Sequence, residues 1–187
     1  PSLSSLSESS AAPAEDEDAA LREAEVNNPI INYLFRRYGG RAGLKDKKIL
    51  ELGAGDSRVF ISYFAGIGAD MKAIDKGAHG QPGVIQAEIL PYISSLPENS
   101  LDIVLATDVL TRAYLVTDPG LSREQELEKV YRRLAVVIKH GGLLVERRCG
   151  GCKEIEDEHL EKIGFRILHK IPKDGIRILQ LDKREGF

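Results

Sequence analysis

Ile49-Leu50-Glu51-Leu52-Gly53-Ala54-Gly55-Asp56-Ser57-Arg58 decides the reading of this chain. An apolar strand carries an acid near its end, a glycine turn follows, and Val59-Phe60-Ile61-Ser62-Tyr63-Phe64 then reads as helix. Glycine at 53 and 55 lets the backbone turn tightly and lets a ligand approach bare peptide. A dinucleotide turn, G-x-G-x-x-G, would place a third glycine at the sixth position, for close helix packing beside a pyrophosphate. Arg58 stands there instead. Glu51 would repel a pyrophosphate and suits a cationic or amine-bearing ligand.

Outward from this turn, strands and helices alternate. Asn28-Pro29 reads as an N-cap with proline at the first helical position, and Ile30, Ile31, Leu34 and Phe35 form one apolar face before Gly39-Gly40. Strands are predicted over 48–52, 69–75, 84–86, 101–106 and 143–146, with a helix over 56–67. Between Asp75 and Val84 the chain holds three glycines and a proline, too short and broken for a crossover helix. Ser122 and Gln125 form a capping-box pair at the start of the clearest helix, which runs to about Lys139 and is ended by Gly141-Gly142. Leu127, Val130, Tyr131, Leu134, Val137 and Ile138 recur at helical spacing along it. A short helix over 155–163 precedes two strands, 165–171 and 176–181, which flank Lys173-Asp174-Gly175 as a hairpin.

The pattern E-x-G-x-G-x-S resembles motif I of the class I S-adenosylmethionine-dependent methyltransferases, with Ser57 in place of the third glycine. Gln86-Ala87-Glu88-Ile89-Leu90-Pro91 resembles that family's D-A-x-x-L-P stretch, and Thr107-Asp108 falls at its motif IV. Pro97 to Asp102 and His140-Gly141-Gly142 also match its usual phrasing. The resemblance implies an α/β fold: a Rossmann-like, seven-stranded, mostly parallel sheet with helices on both faces and a C-terminal antiparallel β-hairpin. It departs from the family at Ser57, at Gln86 and in the short 76–83 loop, where the family has a helix.

The same resemblance implies S-adenosyl-L-methionine as cofactor, bound at the carboxyl ends of the strands. After strand one it assigns Glu51, Gly53, Gly55, Asp56 and Ser57, with the glycines under the methionine part and the acid aiding its amino group. After strand two it assigns Asp75, for both ribose hydroxyls, with Lys76 beside it. NAD-binding folds use an acid here too, so Asp75 does not separate the cofactors. After strand three come Gln86, Ala87 and Glu88 near the adenine, and after strand four Thr107. Asp108 is the best-placed base for an oxygen or nitrogen nucleophile; its structural alternative is a helix N-terminal acid. No N-P-P-Y or D-P-P-Y run follows strand four, which argues against the usual base and glutamine amide methylases.

Two classes of activity fit. One is a methyltransferase acting on a small molecule or a macromolecule; the other is a non-catalytic domain of this fold serving as scaffold or regulatory partner subunit. The substrate mouth is expected from Tyr33, Arg36, Arg37 and Tyr38 with residues 111–121 and 148–153; a lid over the cofactor pocket, as similar helices form in the family, is one role open to the N-terminal helix. Cys149-Gly150-Gly151-Cys152 lacks a second ligand pair for zinc and a thioredoxin-like context, and reads as a loop with two thiols. No cluster suggests a bound metal. Arg147-Arg148 reads as solvated, with an anionic substrate group as its functional alternative.

Composition bounds the rest. A chain of 187 residues suits one domain over 21–187, after an acidic tail over 1–20 that is expected to be disordered, helical at most from Ala19 onward. A net charge of −3 gives no global signal for nucleic acid, although a local patch would be enough. No apolar run reaches the ~20 residues needed to span a bilayer, and no signal peptide is recognised. A cytoplasmic protein with no membrane association is the expectation.

Overall fold

The computed structural model describes residues 12–78, 80–110, 120–148 and 155–182. Helix α1 spans Ala12–Asn27, α2 Pro29–Arg37 and α3 Arg41–Leu44. Then follow β1 (Lys48–Leu52), α4 (Val59–Gly66), β2 (Asp70–Asp75), β3 (Val84–Gln86), α5 (Ile89–Ser95) and β4 (Leu101–Thr107). The chain closes with α6 (Arg123–Val137), β5 (Ile138–Arg147), α7 (Asp157–Ile163), β6 (Phe165–Ile171) and β7 (Ile176–Leu181). The seven strands form one sheet in the order β3-β2-β1-β4-β5-β7-β6. Pairing is parallel from β3 to β5 and antiparallel at β5–β7 and β7–β6. This is the sheet the sequence predicts, and its order reverses between β1 and β4.

Strand alternation sends buried side chains to two faces. Ile49, Ile103, Leu105, Val145 and Ile178 meet Ile30, Ile31 and Leu34 of α2 and Phe60 and Phe64 of α4. Leu50, Leu52, Val104, Leu144 and Leu179 meet Ile93 of α5, Val130 and Leu134 of α6, and Leu160 of α7. Two predicted caps are present. Asn28 Oδ1 accepts from the amides of Ile30 (3.0 Å) and Ile31 (3.1 Å). Ser122 and Gln125 complete the reciprocal capping box of α6.

Three expectations are corrected. Residues 12–20, expected as disordered tail, lie in α1; Asp18 and Glu25 both bond Arg41, and Leu21 and Ala24 pack against the α2 face. Residues 1–11 lie outside the described residues. Gly141-Gly142 does not end α6, which stops at Val137; the pair sits inside β5, where the register against β4 shifts between Leu101 and Ile103. A side chain at 142 would lie 2.9 Å from the Asp102 carbonyl oxygen, so only glycine lets this bulge lie flat on β4. Helix α5 carries Pro91 in its first turn, where proline forfeits no helical hydrogen bond. Finally, α2 seals a sheet face and does not lid the sheet edge.

A buried ionic cluster ties the antiparallel strands to α6 and α7. Glu146 accepts from Arg177 Nε, from Arg148 Nη2 at 2.9 Å and from the Tyr131 hydroxyl. Arg177 also donates to Asp157 Oδ1 at 2.8 Å and to the Ile155 carbonyl at 3.2 Å. Burial and the Glu146 charge hold the Tyr131 hydroxyl well above its usual ionisation range. The expectation that Arg148 is solvated therefore fails: it is held on Glu146. Glu146→Ala strands three buried donors, so urea unfolding should show a loss of about 3–5 kcal/mol. Glu146→Gln keeps an acceptor oxygen and should lose less.

Candidate cofactor site at the carboxyl edge of the sheet

Beyond the carboxyl ends of β1, β2, β3 and β4 lies a cavity of about 370 Å³. It is lined by eight of the sequence-selected residues: Gly53, Gly55, Asp75, Lys76, Ala87, Glu88, Thr107 and Asp108. Gly77, Ile89, Leu90, Pro91 and Val109 complete it. Those last five were not selected as site residues. Gly77 carried a signal, since an acid followed two residues later by glycine allows a side chain to cap its own turn.

The turn after β1 is fixed by backbone and steric terms together. Gly53 and Ala54 N–H groups both donate to the Ile74 carbonyl, at 2.8 and 3.1 Å, which extends the β1–β2 ladder past the strand end. Gly53 has φ +66°, and a Cβ on it would lie 2.5 Å from Val109 Cγ2. Gly55 has φ +55°, but a Cβ there would meet no atom within 4 Å and would stand in the open space of the cavity. The first glycine therefore serves closure of the fold. The second leaves open space at the turn.

Asp75 is held from both sides. Its Oδ2 accepts from the Gly55 amide at 3.0 Å and its Oδ1 from the Gly77 amide at 2.6 Å. Each carboxylate oxygen has a second acceptor direction, so the oriented pair can take two further hydroxyl groups. Apolar groups of Ala87, Ile89, Leu90 and Pro91 supply a surface on which a flat ring can lie.

Glu51, two residues before Gly53, is not among the lining residues; it is 1% exposed, and Oε2 has no hydrogen-bond partner among the described residues. Burial alone pushes its carboxyl up to about 7. Native carboxylates are rarely left in this state, and an orphaned buried acceptor marks a place for a missing donor. Asp56, Ser57 and Gln86 do not reach the lining. Asp56 accepts from Gln81 at 3.0 Å, Ser57 is exposed, and Gln86 donates to the Lys76 carbonyl at 3.4 Å.

Asp108 is the one non-glycine at the site with a left-handed backbone, φ +60°. Arg147 clamps it twice: the Asp108 amide donates to the Arg147 carbonyl, and Arg147 Nη2 donates to Asp108 Oδ2, both at 2.8 Å. One carboxylate oxygen is thus committed, and the other remains for a proton or a substrate group. Arg147 is exposed, as the sequence suggests, and also pairs with Asp108. No residue of α2 lines the cavity. The predicted mouth residues 111–119 and 149–153, with Cys149 and Cys152, lie outside the described residues.

No family model matches the chain, and no curated protein matches it by sequence. Solved structures do resemble it. The 1,6-didemethyltoxoflavin-N1-methyltransferase of Burkholderia thailandensis, crystallised with 1,6-didemethyltoxoflavin and S-adenosylhomocysteine, superposes with a TM-score of 0.55 at 14% identity. That match covers 98% of this chain and 94% of the other. A SAM-dependent methyltransferase from Archaeoglobus fulgidus gives 0.50 at 19% identity, over 78% of this chain and 73% of the other. The chain therefore has the fold of the class I S-adenosylmethionine-dependent methyltransferases.

Two measurements test the site as built. Gly53→Ala should lower the urea midpoint well beyond Gly55→Ala, because it adds overpacking of about 1–3 kcal/mol to a left-handed strain of about 1 kcal/mol that both share. For Glu51, the folded chain keeps its proton up to about 7 whereas an ordinary glutamate releases it near 4.5. Its contribution is then complete below pH 4.5 and declines by about 3 kcal/mol as pH rises through 7. Glu51→Gln should remove that decline in a pH series of unfolding curves.

Proposed function

We propose that this protein is a methyltransferase that binds S-adenosylmethionine and transfers its methyl group to an oxygen or nitrogen nucleophile. The observation that carries the reading is Asp75, whose two carboxylate oxygens are oriented by the Gly55 and Gly77 amides at the wall of the cavity. That geometry suits the adjacent hydroxyls of a ribose. The orphaned Glu51 oxygen suits an ammonium group, and the open space at Gly55 leaves room for the aminoacyl chain. The apolar wall from Ala87 to Pro91 suits adenine. A bound sulfonium would supply an activated methyl group.

The work left to the chain is positioning, which is worth ~7–11 kcal/mol of a barrier when reacting atoms are held in line. Thr107 and Asp108 stand at the cavity wall where an acceptor would enter, and the free oxygen of Asp108 can take its proton. A second reading, a non-catalytic partner subunit, draws support from the same residue. If the Arg147 clamp holds Asp108 permanently, the domain binds cofactor and turns nothing over.

Calorimetry should give saturable binding of S-adenosylmethionine and S-adenosylhomocysteine, weakened at least tenfold in Asp75→Ala, and none of NAD. Binding of NAD with neither sulfur nucleoside would overturn the reading. Screening with methyl-labelled cofactor against small-molecule, protein and RNA pools then separates enzyme from partner subunit.

A further inference from the structure

Half of the arginines among the described residues are paired with carboxylates. Arg22, Arg41, Arg132, Arg147, Arg148 and Arg177 each hold a carboxylate. Arg36 and Arg37 do not. Both are exposed in the last turn of α2, and neither has an ion-pair partner among the described residues. They line an open cleft of about 750 Å³ between α2 and the hairpin of β6 and β7. Lys173 from the hairpin turn adds a third cation without an ion-pair partner among the described residues, and Asp174 is the one acid in the lining.

Within this cleft the rings of Tyr33 and His169 are stacked, with centroids 5.7 Å apart and planes 12° from parallel. His169 is exposed. Of the acids on the neighbouring α1, Asp18 and Glu25 bond Arg41. The cleft also reaches the working edge of the sheet. Gly175, at the end of the hairpin turn, accepts from the Arg148 amide at 3.1 Å, and Arg147 pairs in register with both Thr107 and Ile176. From β4 to β6 is three strand spacings, about 15 Å.

We infer that this cleft binds single-stranded nucleic acid, with Arg36, Arg37 and Lys173 on successive phosphates and the Tyr33–His169 pair as a platform for a base. A groove of unneutralised cations beside an aromatic stack is the chemistry that tracks a phosphodiester backbone while offering a face to any base. A duplex hides its base faces from such a platform. A lone phosphate group has no use for it. On the methyltransferase reading, the strand is the acceptor, led along the edge toward Asp108; the binding itself does not depend on that reading.

The test is fluorescence anisotropy of a labelled 12-nucleotide single-stranded RNA, with a matching DNA arm, titrated with the full chain in low salt and without cofactor. Saturable binding is expected, falling with salt at a log–log slope near −2, as for about three phosphate contacts. The double substitution Arg36→Glu/Arg37→Glu should weaken it at least tenfold. Tyr33→Ala should weaken it about tenfold, as loss of one stacked base does. Because Tyr33 also packs against the buried face, His169→Ala gives the same reading from an exposed side chain. No binding, undiminished binding by the charge-reversed variant, or equal competition by duplex and by heparin would each overturn the assignment. A failed cofactor titration would leave this result untouched.

Discussion

Everything at the candidate site depends on the absence of a side chain at position 53. Val109 sits so close to the Gly53 backbone that any Cβ there would fall 2.5 Å from its Cγ2. The ends of β1 and β4 can therefore converge, and the turn that follows swings back over β2, with Gly53 and Ala54 amides on the Ile74 carbonyl. That swing places the Gly55 amide on Asp75. Three strand ends are thus registered by one steric vacancy, two backbone hydrogen bonds and one from the Gly55 amide to the Asp75 carboxylate. The carboxylate they orient is the best-defined polar group of the cavity.

The buried charges divide into two kinds. Glu146 and Arg177 are 2% and 3% exposed, and their hydrogen-bonding groups are met by Tyr131, Arg148, Asp157 and the Ile155 carbonyl. Such a saturated network binds elements together and asks for no ligand. Glu51 is as deeply buried but keeps an oxygen without a partner among the described residues. The contrast separates framework from site within one sheet.

Much of this was legible in the sequence, and the reasons differ by element. The strands 84–86, 165–171 and 176–181 were readable to the residue because short apolar runs were fenced by Gly, Pro or a hairpin signal. Helix α6 announced itself through Ser122 and Gln125. Eight of the twelve selected site residues meet in one cavity because the carboxyl ends of neighbouring parallel strands must converge there. What stayed hidden was tertiary. The acidic start of α1 is ordered by Arg41, which no local pattern reveals, and the double glycine of β5 looks like a helix stop until β4 is laid beside it. The apolar face of α2 says that the helix covers a surface without saying which one.

Strand β5 shows how the two kinds of chemistry are kept apart at such short range. Successive residues of a strand point to opposite faces, so Glu146 turns toward α6 and α7 while Arg147 turns the other way. The first closes a buried network beneath the edge; the second grips Asp108 above it, by guanidinium and by carbonyl. Because Arg147 is also in register with Ile176, the same residue links the β4 wall of the cavity to the hairpin whose turn carries Lys173. A shift of β5 by one residue would exchange the two faces and destroy both functions at once. The bulge at Gly141-Gly142 absorbs the surplus chain that would otherwise impose that shift. Glycine at 142 thus sets, from the far end of the strand, which face Arg147 serves.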